Sequence, residues 1–468
     1  MAKDLRSFLD ELARVASGDL LRIARPVMPH QFEVTAILQQ LEDGERFPLL
    51  LFEAPRSVEG HPCPFRLVSN VFATRERCAL ALGREASQSK LPLSLEYARR
   101  ERRPLSPITI PPADAPVKEV VQEGEEADLS IFPIVRHHAM DAGPYFDMAV
   151  VNREPREGFY NSAFQRTMYK GPRRLGIHQS PRHNWQIVRS LARQGKRAPI
   201  IVVVGHHPAF YLGCLNVAAY GVDDYELIGG IIGEPLRLTP SATWGEEFLI
   251  PADAELVIEG DLDPQDLEVE APFGEFTGYY GPQRLRPVIH VTAVNHRADA
   301  ILQHNFVGHP DCWVLGGIPK EGAIYNLIKG VVPGVTAVHL PLSGSCRFNC
   351  YISVDKRVDG ETKQAALLAL GAVDFVKNVI VVDADIDVFN ERQVMFAVAT
   401  RTQADQDVEI IKNAKGNTLD PSQTHDIMGS KLIIDATMPL DRPFAERVAV
   451  PKFALEKFPL EEYFPEEA

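Results

Sequence analysis

The chain is short of cysteine, of long apolar runs and of positive charge, and each shortage removes a class of protein. Six cysteines among 468 residues (Cys63, Cys78, Cys214, Cys312, Cys346 and Cys350) include no Cys-x-x-Cys pair. A zinc ribbon and a thioredoxin-like redox site are therefore not indicated. Cys346 and Cys350 stand four apart where a turn enters a strand, and they read as buried free thiols. The longest apolar runs, such as Ile200 to Val204, are far too short to cross a bilayer, so no membrane span is expected. The opening Met-Ala-Lys-Asp-Leu-Arg runs into a charged amphipathic segment without an apolar signal core, which makes a cytoplasmic location the expectation. A net charge of −14 argues against a nucleic-acid binder or a binder of anionic membranes. No Gly-x-x-x-x-Gly-Lys-Ser/Thr loop, Gly-x-Gly-x-x-Gly, His-Glu-x-x-His or Gly-x-Ser-x-Gly elbow is present. The common kinase, dehydrogenase, metalloprotease and serine-hydrolase readings lose weight accordingly.

What remains is the composition of a folded protein of roughly two to three domains. Leu5, Phe8, Leu9 and Leu12 fall at helical spacing behind Asp4, a potential cap. A second helix over 31–42 and a buried strand over 48–52 follow. This α/β unit spans 1–116 and ends in a proline-rich segment. From 117 to 310 short β-rich runs punctuated by Gly and Pro predominate (147–152, 200–204, 255–258, 288–294), with one helix near 185–193. That pattern predicts a barrel or a strongly curved sheet. Residues 311–440 return to alternating helix and strand, an α/β layer. The tail, 441–468, is proline- and acid-rich and reads as an exchanged or capping arm.

Residues that could carry chemistry gather in the middle part. Tyr160-Asn-Ser-Ala-Phe-Gln-Arg166 leads into Lys170-Gly-Pro-Arg-Arg-Leu-Gly-Ile-His178. Arg166, Lys170, Arg173, Arg174 and Arg182, concentrated in an acidic protein, fit either an anion site or a solvated basic loop. His183 stands at a helix entrance, suited to a metal or a phosphate, or to a structural role. Glu226 precedes the apolar glycine-rich run Leu227 to Gly233, where a carboxylate is costly unless a cation meets it. Glu268-Val-Glu270-Ala-Pro-Phe-Gly-Glu275-Phe-Thr-Gly-Tyr-Tyr-Gly281 embeds two carboxylates, five apart, among aromatic residues. Such a setting can hold one carboxyl protonated while the other stays ionised, as general acid catalysis requires.

Together these stretches resemble the UbiD family of decarboxylases that use prenylated flavin mononucleotide. Glu270-Ala-Pro-Phe-Gly-Glu275 is similar to the family's Glu-x-Pro-Phe-Gly-Glu motif, and Asn161 and Arg166 keep its Asn-x4-Arg spacing. Val381-Val-Asp-Ala-Asp-Ile-Asp-Val388 and Met428-Gly-Ser-Lys-Leu-Ile-Ile-Asp-Ala-Thr437 look like its late motifs, in the same order. The resemblance implies an N-terminal α/β unit, a central split β-barrel that binds flavin, and a C-terminal α/β domain. It also implies Arg166, Glu270 and Glu275 as the catalytic set, with Glu275 donating a proton and Arg166, held by Glu270, positioning the substrate carboxylate. Asn161, His183 and Glu226 would bind Mn²⁺ or Mg²⁺, which grips the flavin phosphate, and K⁺ would sit beside Glu226 and carbonyls near Ala218. Ser162, Ala163, Phe164, Arg182 and Lys377 complete the implied cofactor contacts.

Decarboxylation leaves an electron pair that no side chain here can accept, so a cofactor is expected. The substrate implied is an aromatic, heteroaromatic or α,β-unsaturated carboxylic acid, and the partners are a flavin prenyltransferase and a second copy of the chain. Phe164-Gln165 and Arg182 depart from the family's commoner residues and bear on substrate identity. Phe164, the 273–280 aromatics and the 304–313 segment are expected to shape the pocket. Competing readings are net carboxylation, a flavin-binding or storage protein without catalysis, and a metal-dependent hydrolase using His183 and Glu226.

Overall fold

The structure is a computed structural model that describes residues 3–423, 427–459 and 462–463. The first helix, Leu5–Val15, starts at Asp4, whose carboxylate accepts the Ser7 amide while the Ser7 hydroxyl bonds back, so both ends of the first turn are satisfied. Its buried face is Leu5, Phe8, Leu9 and Leu12, as the spacing requires. The N-terminal sheet runs 20–23, 49–52, 66–69 and then 301–303. Its last strand therefore comes from beyond the barrel, and the chain returns to its first unit before entering its last.

The barrel closes on itself. Strands 256–270, 198–204, 145–153, 160–171, 174–177 and 284–296 pair in that order, all antiparallel, and 256–270 pairs with 284–296 to complete the ring. Closure leaves the ring without a free edge, and the short strand 120–123 lies alongside 284–296. Helix His183–Ala192 covers strands 145–153, 160–171, 198–204 and 256–270 from one side. That cover explains why Ile200 to Val204 is buried on both faces and reads as a continuous apolar run.

The C-terminal unit is a five-stranded sheet in the order 335–339, 349–354, 378–383, 428–436, 408–415. Separate apolar clusters hold its two faces. Helix Pro310–Lys329 joins it to the rest, packing on Leu91–Glu101, Pro208–Cys214 and Glu361–Ala372. Pro319, Gly316 and Gly317 lie inside this helix, which is why local propensity does not announce it. The glycines are sites of close approach: a Cβ on Gly317 would lie 2.8 Å from Cys346 Cβ, and one on Gly316 would overlap the Arg347 guanidinium. Glu321 on the same helix ties the units together. It receives both Arg75 terminal nitrogens at 3.0 Å, the His339 ring at 2.8 Å and the Leu340 amide at 3.1 Å.

Two stretches singled out in the sequence take definite form. Of the two readings of 160–178, the solvated basic loop does not hold: it is strands 160–171 and 174–177 joined by a tight turn, and most of its cations are occupied elsewhere. Lys170 reaches Val269 O and Glu268, and Arg174 pairs with Glu268 and Asp266, all on strand 256–270. The glycine run 229–233 is the end of helix Asp224–Ile232, with Gly233 as its left-handed cap. It is glycine-rich because the 100–105 segment crosses it: a Cβ on Gly230 would lie 2.5 Å from Arg103 O.

Candidate active site

A cavity of about 1100 Å³ lies where the barrel meets the C-terminal unit. One corner is built by the 270–281 segment. Strand 256–270 ends at Glu270, Ala271 turns the chain with φ +71°, and 273–274 pairs with 280–281 as a small hairpin. Arg166 arrives from strand 160–171. Its Nε and Nη2 donate to the two Glu270 carboxylate oxygens at 2.8 and 2.9 Å, and its Nη1 touches Glu275 Oε1. All three side chains are buried, and the guanidinium lies over the Phe273 ring. A bidentate carboxylate pair fixes the plane of a guanidinium and leaves its remaining edge to aim at something else. That edge meets Glu275 inside the cavity.

The hairpin is held from two sides. The Glu275 amide donates to Tyr279 O at 2.9 Å, and the buried Asp141 carboxylate accepts the Gly274 amide at 2.8 Å and the His138 amide at 2.8 Å. Gly281 faces the acid, and a Cβ there would sit 2.8 Å from Glu275 Oε1. Of the aromatic residues expected to shape the pocket, Phe164, Phe273 and Phe276 line it. Tyr279 and Tyr280 point to solvent instead, on the outer side of the hairpin.

The opposite corner can hold a cation. Asn161 Oδ1 lies 3.2 Å from His183 Nδ1, and Asn161 Nδ2 donates to Asn184 Oδ1 at 2.6 Å, which leaves the amide oxygen turned to the imidazole. Burial, then the Arg182 charge, keeps the His183 ring below its ordinary pKa and so neutral and able to ligate. Asp224 completes the corner. It accepts the Ser162 amide and hydroxyl at 2.6 and 2.9 Å and Asn216 Nδ2 at 2.9 Å. Burial pushes its carboxyl up to about 7, the condition of a carboxylate that lacks a cation to offset its burial. Among the described residues no group of three His, Cys, Asp or Glu side chains converges as a metal site. An ion here would therefore draw on the amide oxygen and on oxygens from outside the chain, as a hard cation does.

The structure brings most of the expected residues together. Asn161, Ser162, Ala163, Phe164, Arg166, Arg182, His183 and Glu275 line one cavity, and Glu270 stands directly behind Arg166. Two do not arrive. Glu226 is outside the cavity, accepting a hydrogen bond from the Ser106 hydroxyl at 3.0 Å. Residues two apart on a helix differ by about 200° in direction, so a helix that turns Asp224 inward must turn Glu226 away. Lys377 is also outside, in an ion pair with Asp420 at 2.9 Å.

The sequence reasoning passed over Asp224, although the paired acids Asp223-Asp224 at a helix start were visible; Asp223 is the cap. It also passed over Asp147, which burial raises to about 6, and the ring of His178, neither of whose nitrogens has a hydrogen-bond partner among the described residues. Lys320 and Arg347 were missed as well. They sit in segments whose local sequence gives no sign that they face a cavity.

A closed barrel carrying an arginine clamped between two carboxylates, with an amide, an imidazole and a further carboxylate lining the same cavity, suits an enzyme that binds an organic acid. Family models agree. The 3-octaprenyl-4-hydroxybenzoate carboxy-lyase (UbiD) N-terminal, Rift-related and C-terminal domains match residues 13–90, 109–310 and 313–436. The chain belongs to the UbiD carboxy-lyase family. It is 32% identical over 449 residues to a phenolic acid decarboxylase of Streptomyces sp. (strain D7), covering 93% of this chain and 92% of that one. Among solved structures, the UbiD-class enzyme HmfF of Pelotomaculum thermopropionicum with FMN superposes with a TM-score of 0.87 at 37% identity, over 98% of this chain and 100% of that one. An evolved dimeric form of HmfF with prenylated FMN gives 0.86 at 34% identity, over 99% and 100%.

Proposed function

We propose that the cavity binds prenylated FMN with its phosphate toward Asn161, His183 and Asp224, and that the protein releases carbon dioxide from an aromatic, heteroaromatic or α,β-unsaturated acid placed at Arg166 and Glu275. The observation that carries this reading is the Arg166–Glu270–Glu275 cluster facing the cavity that Asn161 and His183 also face. The residues fit the cofactor. An amide oxygen, a neutral imidazole and an otherwise uncompensated carboxylate suit Mn²⁺ or Mg²⁺ shared with a phosphate. Asp224 takes the place expected for Glu226. K⁺, expected beside Glu226, would keep only the wall near Ala218, which Asp224 shares.

When bound, the prenylated flavin supplies the electron sink that decarboxylation needs. The protein's own residues do the rest. Arg166, fixed in plane by Glu270, binds and orients the substrate carboxylate. Phe273 and Phe276 exclude water from the reacting carbon, and Glu275, in contact with Arg166, places a proton where the carboxylate was. Donor and carboxylate-binding group share one corner, so the leaving position and the protonated position coincide.

A storage role without catalysis would not need this clamp, and a hydrolase using His183 with Glu226 loses its carboxylate to the outside of the cavity. The direction of net reaction is a matter of carbon dioxide supply. We further propose the domain division at 116, 310 and 440, a cytoplasmic location, supply of the cofactor by a flavin prenyltransferase, and a homodimer or larger assembly. The tail supports the last of these, since Val448 is 96% and Phe453 72% exposed. Co-expression with a flavin prenyltransferase, then an absorbance spectrum and a carboxylic-acid panel, tests the reading. A coloured protein that releases carbon dioxide supports it, and a flavin-free, inactive product contradicts it.

A further inference from the structure

The same cavity carries two cations that the chemistry above does not use. Lys320, on helix Pro310–Lys329, and Arg347, in the loop before strand 349–354, are 5% and 6% exposed and line the cavity. Neither has a carboxylate within ion-pair distance among the described residues. Lys320 Nζ donates to Gly316 O at 2.8 Å, which employs one of its three donors. Arg347 donates from Nη1 to the carbonyls of Trp313 and Cys346, both at 3.1 Å, and from Nη2 to Cys312 O at 3.4 Å, so its partners are backbone carbonyls and not carboxylates; it lies over the Phe276 ring next to Glu275. The nearby Asp374 is already held by Arg182 and Lys415, and Asp147 is bonded to Asn305. Burial, together with the Arg347 and Arg182 charges, presses the Lys320 ammonium well below its ordinary pKa. A buried cation without a counter-charge is costly to keep, and two of them lining one cavity, Arg347 over Phe276 and Lys320 over Phe375, leave it one anion short.

We propose that Lys320 and Arg347 form a second anion subsite, so that the preferred substrate carries a carboxylate or phosphate remote from the carboxylate that is lost. This deepens the decarboxylase reading and rests on it for the placement of the reacting carboxylate at Arg166.

The test uses the full chain loaded with prenylated FMN, titrated with benzoate, terephthalate and 4-carboxyphenyl phosphate, in the parent and in Lys320→Met and Arg347→Lys. Flavin content is recorded for each preparation. Either dianion should bind the parent at least ~10-fold tighter than benzoate, the usual scale for a hydrogen bond to a charged group. The preference should collapse in Lys320→Met and weaken in Arg347→Lys, with flavin content unchanged. The better of the two dianions identifies carboxylate or phosphate as the natural group. Equal binding of benzoate and both dianions overturns the subsite. So does parallel loss of flavin in Lys320→Met, because the cations would then serve the cofactor. A dianion preference with no carbon dioxide from any acid would instead sustain the subsite and sink the decarboxylase reading.

Discussion

Replacing Glu270 by Gln probes the joint on which the site turns. Glu270 is fully buried and takes two hydrogen bonds from Arg166 at 2.8 and 2.9 Å. Glutamine keeps one acceptor, but its amide nitrogen opposes an arginine N–H, so one of the two bonds becomes a donor–donor clash and the countercharge is lost. Removing one partner of a buried pair costs about 3–5 kcal/mol. Arg166 retains Glu275, which places the expected loss of stability at the lower end, about 3 kcal/mol. The guanidinium, no longer fixed in plane, should swing toward Glu275 and occupy the position of the proton donor, so kcat/KM should fall by about two orders of magnitude or more. The control is Glu268→Gln two residues earlier. Its partners Lys170 and Arg174 are bonded near the surface, where Glu268 is 35% and Arg174 40% exposed, and such pairs are worth about 0–1 kcal/mol. Urea unfolding and initial rates on both variants decide the matter. If Glu270→Gln matches Glu268→Gln in both, the Arg166–Glu270 clamp does not position the substrate.

Other outcomes follow from the same geometry. Asp224→Asn should cut metal and flavin retention at least ~10-fold by elemental analysis and absorbance, while Glu226→Gln should retain both; the reverse result would return the role to Glu226. Gly281→Ala puts a methyl 2.8 Å from Glu275 Oε1 and 3.4 Å from Arg166 Nη1, so it should lower kcat with flavin content intact. Burial pushes the Glu321 carboxyl up, but the Arg75 charge and the hydrogen bonds from His339 and Arg75 outweigh it and hold the group down to about 2. A depressed carboxyl stabilises the fold above its unfolded pKa and ceases to do so as pH falls through its folded value. The stability gap between the parent and Glu321→Gln, about 3 kcal/mol at pH 7 as for breaking a buried ion pair, should shrink between about pH 4.5 and 2. A gap that is flat across that range in denaturant titrations would show the network to be neutral.

Much of this molecule was legible from its sequence, and the residues show why. Helices such as Leu5–Val15 and strands such as Leu49–Phe52 are written in local periodicity and caps, which need no knowledge of the rest of the chain. The 270–275 segment was legible because its carboxylates, proline and aromatics are dense enough to mean something alone. Helix Pro310–Lys329 was not, because Pro319 lies inside it and its Gly316 and Gly317 satisfy close approaches of Arg347 and Cys346 some thirty residues away. Asp224 and Glu226 differ only in phase: both acids are plausible in one dimension, and only the rotation of a short helix, packed through Gly229 and Gly230 against 103–105, turns Asp224 and not Glu226 into the cavity. Lys320 and Arg347 face the cavity through tertiary packing alone. No spacing rule marks a buried cation that lacks a partner.

The most direct measurement is product analysis in heavy water with the flavin-loaded parent and Glu275→Gln. The parent should release carbon dioxide and carry one deuterium at the carbon that bore the carboxylate, and the variant should turn over about 10²–10⁴ times more slowly. Undiminished turnover by Glu275→Gln, or deuterium at any other carbon, would contradict the placement of the proton donor beside Arg166.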